Sequence, residues 1–523
     1  MARPGRALAL VLALLAWVAD CSDAFKVGPR PKAAPGVIVR YRSGGGGVAI
    51  AAAVAGTSGP KPIAPSLNMY QLDIKDGTSP EFKAAELSKL GGVLYAIPDV
   101  WVSLAGAREQ PHPEPLAARD EPGAAGARRL LAAAGSGARV PPPSMVARAA
   151  AASPPPAPRR PVPPPLIPRG PPRMPARPSP RPPPHPSPRP SPRPSPRPPP
   201  HPSPRPPTGV VRPASLQPTD PMYEDQWALP RIRAPQAWAF VTNASPVLHC
   251  TVDTGVKWDH PDLAPNLLPM GDYYKNNNYD DNGHGSHVAG IMGAVANNGR
   301  GISGAAWRSK ILACKALDSQ GWGLISKVVE CIEFCRSKGA RVINTSFVLQ
   351  EMNVALRDAI KNATAAGVFF SGAAGNAGTD NDQSNYYPAG FAFPGNVAVA
   401  NTNQANSLHE TSNFGATTVQ LAAPGSQILS TWIYRDVANQ YFTYLTGTSM
   451  AAPYVTAAAG LAIAASGGRV SNVEVANALV NTSTPAPQLK GKVVSNGFIN
   501  LEKLVVWAVN RGKELAAQEA AGR

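Results

Sequence analysis

Residues Pro246–Val256 read PVLHCTVDTGV, an apolar run that ends at Asp253, with a glycine two residues beyond it. Working outward, similar runs return at Lys310–Leu317, Arg341–Val348 and Val368–Ala374. Helical patterns separate them at Ser286–Val295, Ser326–Lys338 and Val354–Ala366. Strands that alternate with helices are the signature of βαβ units, so the class expected from Gln217 onward is α/β, with a mostly parallel sheet covered by helices. In such a sheet ligands sit beyond the carboxyl ends of the strands, which is where Asp253 falls.

The rest of the 523-residue chain is unlike this part. Of 61 prolines, 33 lie between Pro141 and Val210, a stretch with 11 arginines and no lysine, aspartate or glutamate. The unit SPRPPPHPSPRP occurs at Ser179–Pro190 and again at Ser195–Pro206. Such proline density excludes helix and sheet and favours polyproline II, at roughly 3.1 Å per residue. The net charge of +17 comes from outside the C-terminal part, because residues 217–523 hold 22 basic and 22 acidic side chains. That balance excludes a nucleic-acid footprint on the folded region. Residues 106–216 are expected to be a spacer, Ala/Gly/Arg-rich and then Pro-rich. Residues 35–105 read as a small α+β module, with strands near 37–41, 69–74, 93–97 and 100–104 and a helix over Pro80–Leu90.

Arg3 and Arg6 precede the uncharged, mostly apolar run Ala7–Ala19, and small residues follow it. Residues 1–24 therefore read as a secretory signal, with Ser22-Asp23-Ala24 or Ala19-Asp20-Cys21 at the cleavage site. No later segment reaches 18 consecutive apolar residues, so no membrane span is expected after signal removal. Cys250, Cys314, Cys331 and Cys335 are too few for a disulfide-built scaffold. Cys331 and Cys335 lie one helical turn apart with no further ligand to complete a zinc set. The readings left are a bridge to Cys314 or buried thiols.

Three segments carry chemistry. Asp253 in TVDTGV, taken alone, is more commonly a cap on a following helix. The segment Asp281-Asn282-Gly283-His284-Gly285-Ser286-His287 offers either metal ligands at i and i+3 or a catalytic imidazole. In Thr446-Gly447-Thr448-Ser449-Met450-Ala451-Ala452-Pro453 a serine opens an Ala-rich helix running to about Ala465, where the helix N-terminus supplies positive potential.

Taken together and in this order, the three segments resemble those of the subtilisin-like serine proteases. Further stretches of the likeness are Gln226-Trp227-Ala228-Leu229, Ala234-Pro235-Gln236-Ala237-Trp238 and Asp259-His260-Pro261-Asp262-Leu263. Val342-Ile343-Asn344-Thr345-Ser346, Ala373-Ala374-Gly375-Asn376-Ala377-Gly378, Asn413-Phe414-Gly415 and Leu421-Ala422-Ala423-Pro424-Gly425 extend it, so that it covers about Asp220 to Leu504. It implies a three-layer α/β catalytic domain over 217–510, followed by a tail at 511–523. It also implies acyl transfer to Ser449, with His284 as base, Asp253 orienting it, and Asn376 with the Ser449 N–H cradling the oxyanion. Ser346, Phe347, Val348, Gly372, Ala373, Ala374 and Gly375 are the residues it places against substrate. Phe347-Val348-Leu349 depart from the family's glycines there, and Val348 is expected to narrow the pocket. Tyr454 and Ser286 depart where His and Thr are usual.

The same resemblance implies calcium, with Asp262 and Asn297 as ligand residues, although Arg300 within that loop departs from the pattern; it implies no organic cofactor. The Asp280-Asp281 pair reads as solvated or as positioning His284. Residues 35–105 resemble the family's inhibitory propeptide, of ferredoxin-like α+β fold. Expected partners are protein or peptide substrates and the chain's own propeptide. The proline spacer resembles those of hydroxyproline-rich wall glycoproteins and suggests a tether to cell wall or matrix. Sequons place glycosylation at Asn243, Asn362 and Asn481, and Asn344 is expected to stay unmodified. The resulting expectation is a secreted, self-processing serine endopeptidase, extracellular or wall-bound, with maturation cuts at Arg128-Arg129 or near Gln217–Asp220. The competing expectations are a structural wall glycoprotein with an inactive protease domain, and a cytosolic scaffold using its PxxP segments.

Overall fold

A computed structural model describes residues 36–42, 57, 59–90, 93–104, 214–268, 279–434 and 441–522. The signal segment, nearly all of the spacer and the Arg128-Arg129 pair lie outside the described residues.

The first part holds β1 (Gly36–Tyr41), β2 (Lys61–Ala64), β3 (Met69–Asp73), α1 (Pro80–Leu87), β4 (Val93–Pro98) and β5 (Trp101–Leu104). Strands β1 to β4 form an antiparallel sheet in the order β2-β3-β1-β4, the ferredoxin-like order. Helix α1 starts at Pro80, with the Ser79 side chain accepting from the Phe82 N–H, a sound N-cap. The two faces of the sheet separate by strand alternation. Val37, Val39 and Leu72 pack on Ala84 and Leu87 of α1. Ile38, Ile63 and Met69 face the opposite way, into a core shared with the C-terminal part.

The C-terminal part begins with two short helices, α2 (Ala228–Arg231) and α3 (Ala234–Trp238). Then follow β6 (Asn243–Asp253), α4 (His284–Gly293), β7 (Arg308–Lys315), β8 (Trp322–Leu324), α5 (Ile325–Ser337), β9 (Val342–Thr345), β10 (Phe347–Val348), α6 (Val354–Ala365), β11 (Phe369–Ala373) and β12 (Asn396–Thr402). The series closes with β13 (Leu421–Pro424), β14 (Ile428–Thr431), β15 (Phe442–Leu445), α7 (Thr448–Ala465), α8 (Asn472–Asn481), β16 (Thr484–Pro485), β17 (Gly497–Phe498) and α9 (Leu501–Ala521). The main sheet runs β16-β17-β13-β12-β11-β9-β6-β7, parallel throughout except for the edge pair β16 and β17.

Both faces of this sheet are buried, which is why its strands read as unbroken apolar runs. Ile311, Ala313, Val342 and Phe369 point to the layer of α4, α7 and α9. Their neighbours Leu312, Cys314, Ile343 and Phe370 point to the layer of α5 and α6. The result is the expected three-layer α/β architecture. Helix α7 is the one helix among the described residues long and apolar enough to cross a membrane, and its side chains are taken up by this core. The expected strand Arg341–Val348 is in fact two. It breaks at Ser346, where β10 leaves the main sheet to join β5 and β8.

All four cysteines of the C-terminal part are bridged, Cys250 to Cys335 and Cys314 to Cys331. The thiol reading is thereby replaced. Cys331 and Cys335 lie on one face of α5, and each reaches a different strand of the sheet below. The bridges close loops of 85 and 17 residues of separation, the longer removing more denatured-state freedom.

The N-terminal module is seated on α5 and α6 by more than its apolar face. Arg40 pairs with Asp358, and Tyr95 Oη donates to Asp358 Oδ2 at 3.2 Å. Asp99 is 1% exposed and caps α5, its Oδ1 accepting the Ser326 N–H at 3.0 Å while the Val100 carbonyl accepts the Ile325 N–H. Burial pushes the Asp99 carboxyl up to about 6, partly opposed by the Ser326 bond and by Lys327, with Asp73 adding to the rise. A carboxyl whose pKa is higher when docked than when free favours docking at low pH, and this contribution is lost as pH rises through about 6. The Ser449→Ala chain should therefore hold its module more weakly at pH 7 than at pH 5, by about 1 kcal/mol. Asp99→Asn, which keeps the cap, should flatten that slope in thermal melts followed across the range.

Candidate active site

Asp253 is the last residue of β6 and is fully buried. Its Oδ1 accepts the Thr254 N–H at 2.8 Å and lies 2.7 Å from His284 Nδ1. A carboxylate at that distance fixes the ring with its proton on Nδ1 and leaves Nε2 as the basic nitrogen. His284 is the first residue of α4, and Asp280 holds the turn that delivers it. Asp280 Oδ1 accepts from Thr254 Oγ1, Asn282 N and Gly283 N, and its Oδ2 accepts from Ser286 N and Oγ. Asp280 is thus a positioning residue and not a solvated one, whereas Asp281 is half exposed and pairs with Lys315. Gly283 carries φ +111°, and a Cβ there would stand 2.5 Å from the Trp432 ring, so only glycine makes this turn.

His287, one turn further along α4, does not join His284 as a metal ligand. Its Nε2 lies 3.1 Å from the Thr443 carbonyl and its ring meets Trp432 edge-on. Burial pushes its pKa down to about 3, so it is a neutral core histidine.

Ser449 is the second residue of α7, which packs against α4. Its Oγ donates to the Ser346 carbonyl at 3.2 Å, and Ser346 Oγ donates back to the Ser449 carbonyl at 3.1 Å. The second bond has a sequence cause. In a helix the Ser449 carbonyl would accept from residue 453, but residue 453 is a proline inside α7 and has no N–H. The serine of the strand end supplies the donor that the helix lacks.

Asn376 follows β11. Its Oδ1 accepts from Thr448 N at 2.8 Å and Thr448 Oγ1 at 3.0 Å, which turns its Nδ2 toward Gly447. A Cβ on Gly447 would stand 3.0 Å from Asn376 Nδ2 and 3.7 Å from the Ser449 backbone N. Two donors therefore border the space that the missing side chain leaves, at the positive end of an 18-residue helix. That arrangement can receive an oxyanion. The sequence gives no such role to Thr448 or Asn413, whereas Asp280 takes the His-positioning alternative of its two readings. Asn413 Oδ1 accepts from Ala377 N and Thr379 N, holding the loop after Asn376.

Beside Ser449 lies a three-stranded sheet, β10-β5-β8, antiparallel on both sides. Leu104 pairs with Phe347, Ser103 with Val348 and Trp322, and Leu104 N donates to the Gly321 carbonyl at 3.0 Å. Phe347 meets β5 through its backbone, while its ring is buried in the core. Val348 is half-buried at the cleft. Gly372 and Ala373 end β11, Ala374 is buried beyond it, and Gly375 N donates to Thr448 Oγ1 at 3.2 Å.

Asp262 is buried, with Oδ1 accepting from Asn298 Nδ2 and Oδ2 from Ile302 N. Asp220 accepts on its two oxygens from the backbone N–H groups of Asn297 and Asn298. Burial, with Asp220 nearby, pushes Asp262 up to about 7. Asn297 Oδ1 accepts from Thr219 N at 2.9 Å and from Thr219 Oγ1 at 3.2 Å. Among the described residues no group of three or more His, Cys, Asp or Glu side chains converges to hold a metal ion. Two buried carboxylates facing one loop are nevertheless donors of the kind a hard cation takes.

Two substitutions test this construction. Gly447→Ala should leave the fold intact, because φ 164° suits any residue, yet lower kcat by ~10²–10³ by filling the oxyanion space. Ser346→Ala should remove the side-chain donor to the Ser449 carbonyl and cost about 1 kcal/mol in denaturant unfolding.

With this geometry in place, comparison with known proteins is direct. The profile of the subtilase family matches residues 247–501. Thermitase of Thermoactinomyces vulgaris is 38% identical over 262 residues, half of this chain and 89% of thermitase. Subtilisin BL of Lederbergia lenta is 33% identical over 280 residues, 53% of this chain and 97% of that protein. A solved protease structure from Pseudoalteromonas arctica superposes with a TM-score of 0.50 at 28% identity, covering 56% of this chain and 99% of its own. The chain belongs to the subtilase family and is a subtilisin-like serine endopeptidase.

Proposed function

We propose that this is an exported, self-processing endopeptidase that cleaves peptide bonds in proteins through an acyl-enzyme on Ser449. The observation that carries the reading is the placement of β5, a segment of the chain itself, as the middle strand of β10-β5-β8, in the backbone pairing a peptide substrate would adopt. His284 Nε2 takes the Ser449 Oγ proton as the oxygen attacks the substrate carbonyl. The negative oxygen is received by Asn376 Nδ2 and the Ser449 N–H. His284 then gives its proton to the leaving amine, and water repeats the sequence to free the acyl group. Asp253 holds the tautomer and stabilises the imidazolium. Export rests on the N-terminal signal pattern, and a wall or matrix tether rests on spacer composition.

Residues 36–104 act in this reading as the inhibitory propeptide, since β5 fills the place of substrate. Glycans are proposed at the exposed Asn243 and Asn481. Asn362 Nδ2 donates to Ser66 Oγ of the docked module at 3.2 Å, so a glycan there would require the module to leave. Calcium is proposed at Asp220 and Asp262, where a cation would neutralise two buried carboxylates and stiffen the 297–302 loop.

A fluorophosphonate probe should label the processed protein, and Ser449→Ala should abolish the label. Peptide turnover should fall by on the order of 10⁶, the loss seen when subtilisin's serine is removed. A processed chain that takes no label sinks the reading. Chelation should lower the melting temperature by several degrees, reversed by calcium but not in Asp262→Asn; an unchanged melt removes the metal.

A further inference from the structure

The structure assigns Asn344 and Thr456 as positioning residues for Ser449: together they fix which way the single proton of the Ser346 hydroxyl points. The inference rests on the reading of Ser449 as nucleophile and adds the residues that hold it in place.

Asn344 on β9 and Ser371 on β11 stand side by side in the sheet, and Thr456 lies on α7, which packs on both strands. These three and Ser346 are fully buried, beside the apolar layer of Val342, Phe369 and the α7 alanines. Four polar side chains in such a place cost stability unless each is satisfied. They are satisfied as one directed chain. Thr456 Oγ1 donates to Asn344 Oδ1 at 3.0 Å, Asn344 Nδ2 donates to Ser346 Oγ at 2.9 Å, and Ser346 Oγ donates to the Ser449 carbonyl at 3.1 Å.

The direction follows from counting donors. A serine hydroxyl carries one hydrogen, and a carbonyl can only accept. Ser346 must therefore donate to the Ser449 carbonyl and receive from Asn344. Asn344 can give only with its amide nitrogen toward Ser346, which turns its oxygen to Thr456 and requires Thr456 to donate. Thr456 has another acceptor in reach, the Ala452 carbonyl at 3.2 Å. Ser371 Oγ donates to that same carbonyl at 3.0 Å, which leaves the Thr456 proton for Asn344. With the amide turned round, Ser346 would donate to Asn344 Oδ1 and its bond to the Ser449 carbonyl would be lost.

That bond matters during the reaction. Residues 346 and 449 are clasped twice, because Ser449 Oγ also donates to the Ser346 carbonyl at 3.2 Å. In acylation the Oγ bond is given up: the oxygen bonds to the substrate carbon and its proton goes to His284. The bond to the Ser449 carbonyl is the one of the two that can persist. Loosening it displaces Ser449 Oγ and the Ser449 N–H together. A misplacement of roughly 1 Å costs ~10²-fold in rate, so a smaller shift should cost on the order of tenfold.

The test measures rate per active site. Wild type, Thr456→Val, Thr456→Ser and Asn344→Ala are titrated with a fluorophosphonate probe, and the labelling rate constant, kcat and KM on one peptide substrate, and Tm are read for each. Thr456→Val, which keeps the shape of the side chain, should lower kcat and the labelling rate constant about tenfold per titrated site, with KM within about twofold. Thr456→Ser, which keeps the hydroxyl, should stay within about twofold of wild type. Thr456→Val added to Asn344→Ala should cost no more than Asn344→Ala alone, because Thr456 acts through the amide. The pH midpoint of kcat should not move, since Asp253 and His284 are untouched. Unchanged per-site rates in Thr456→Val, an equal loss in Thr456→Ser, a loss carried by KM or additive losses in the double variant overturns the proposal. So does a Thr456→Val chain whose Tm falls while its per-site rate holds, which leaves the pair a structural role alone. If Asn344→Ala does not fold, the two Thr456 variants decide. In each of these events a wild type that is labelled and turns over peptide keeps the protease reading. A wild type that takes no label at Ser449 removes that reading and this one with it.

Discussion

The carbonyl of Ser449 lacks a helical donor because Pro453 has no N–H, and the hydroxyl of Ser346 supplies one. Much of the active site depends on that exchange. It ties the first turn of α7 to the point where the strand Val342–Thr345 leaves the main sheet and β10 begins. The helix that carries Ser449 and the edge strand β10 are thereby held in one register. A buried carbonyl without a partner would cost about 1–3 kcal/mol, so the clasp is stable for as long as the core excludes water. The Asn376 amide is oriented from the same turn through Thr448.

Around this clasp the proposed machinery is drawn from four elements that meet at the carboxyl ends of parallel strands: Asp253 from β6, His284 from α4, Asn376 from beyond β11 and Ser449 from α7. Each is backed by buried hydrogen bonds rather than by surface contacts. Asp280 gathers five such bonds under the His284 turn. The sheet is apolar on both faces, and two disulfides pin α5 to β6 and β7 beneath it. The site therefore sits on rigid elements, as a preorganised electrostatic environment requires.

The N-terminal module uses the same layer from outside. Its sheet places Ile38 and Met69 on α5 and α6, its carboxylate Asp99 caps α5, and its last strand enters the cleft. One helix thus joins the module to the catalytic core. The buried state of Asp99 gives that link a pH dependence of known sign.

The α/β class was legible from unbroken apolar runs separated by helical patterns, and the resemblance of Asp253, His284, Ser449 and Asn376 was legible from short motifs in a set order. Those motifs are local: a strand ending in Asp, a Gly-rich turn before His, a Gly two residues before Ser. Other features depend on residues distant in the chain. The pairing of Cys250 with Cys335 spans 85 positions, and the Arg40–Asp358 pair spans over 300. The split of the expected strand at Ser346, the burial of the Phe347 ring and the capture of Asn297 by Thr219 follow from what each meets after folding, which no window of sequence contains. By itself the sequence determined the periodicity of the elements and the chemistry available at their ends, because both are set by near neighbours. Only the tertiary structure decided which strand occupies the cleft and which donors reach the nucleophile, because the Gly447 space and the Ser346 clasp exist only where separate elements are packed together.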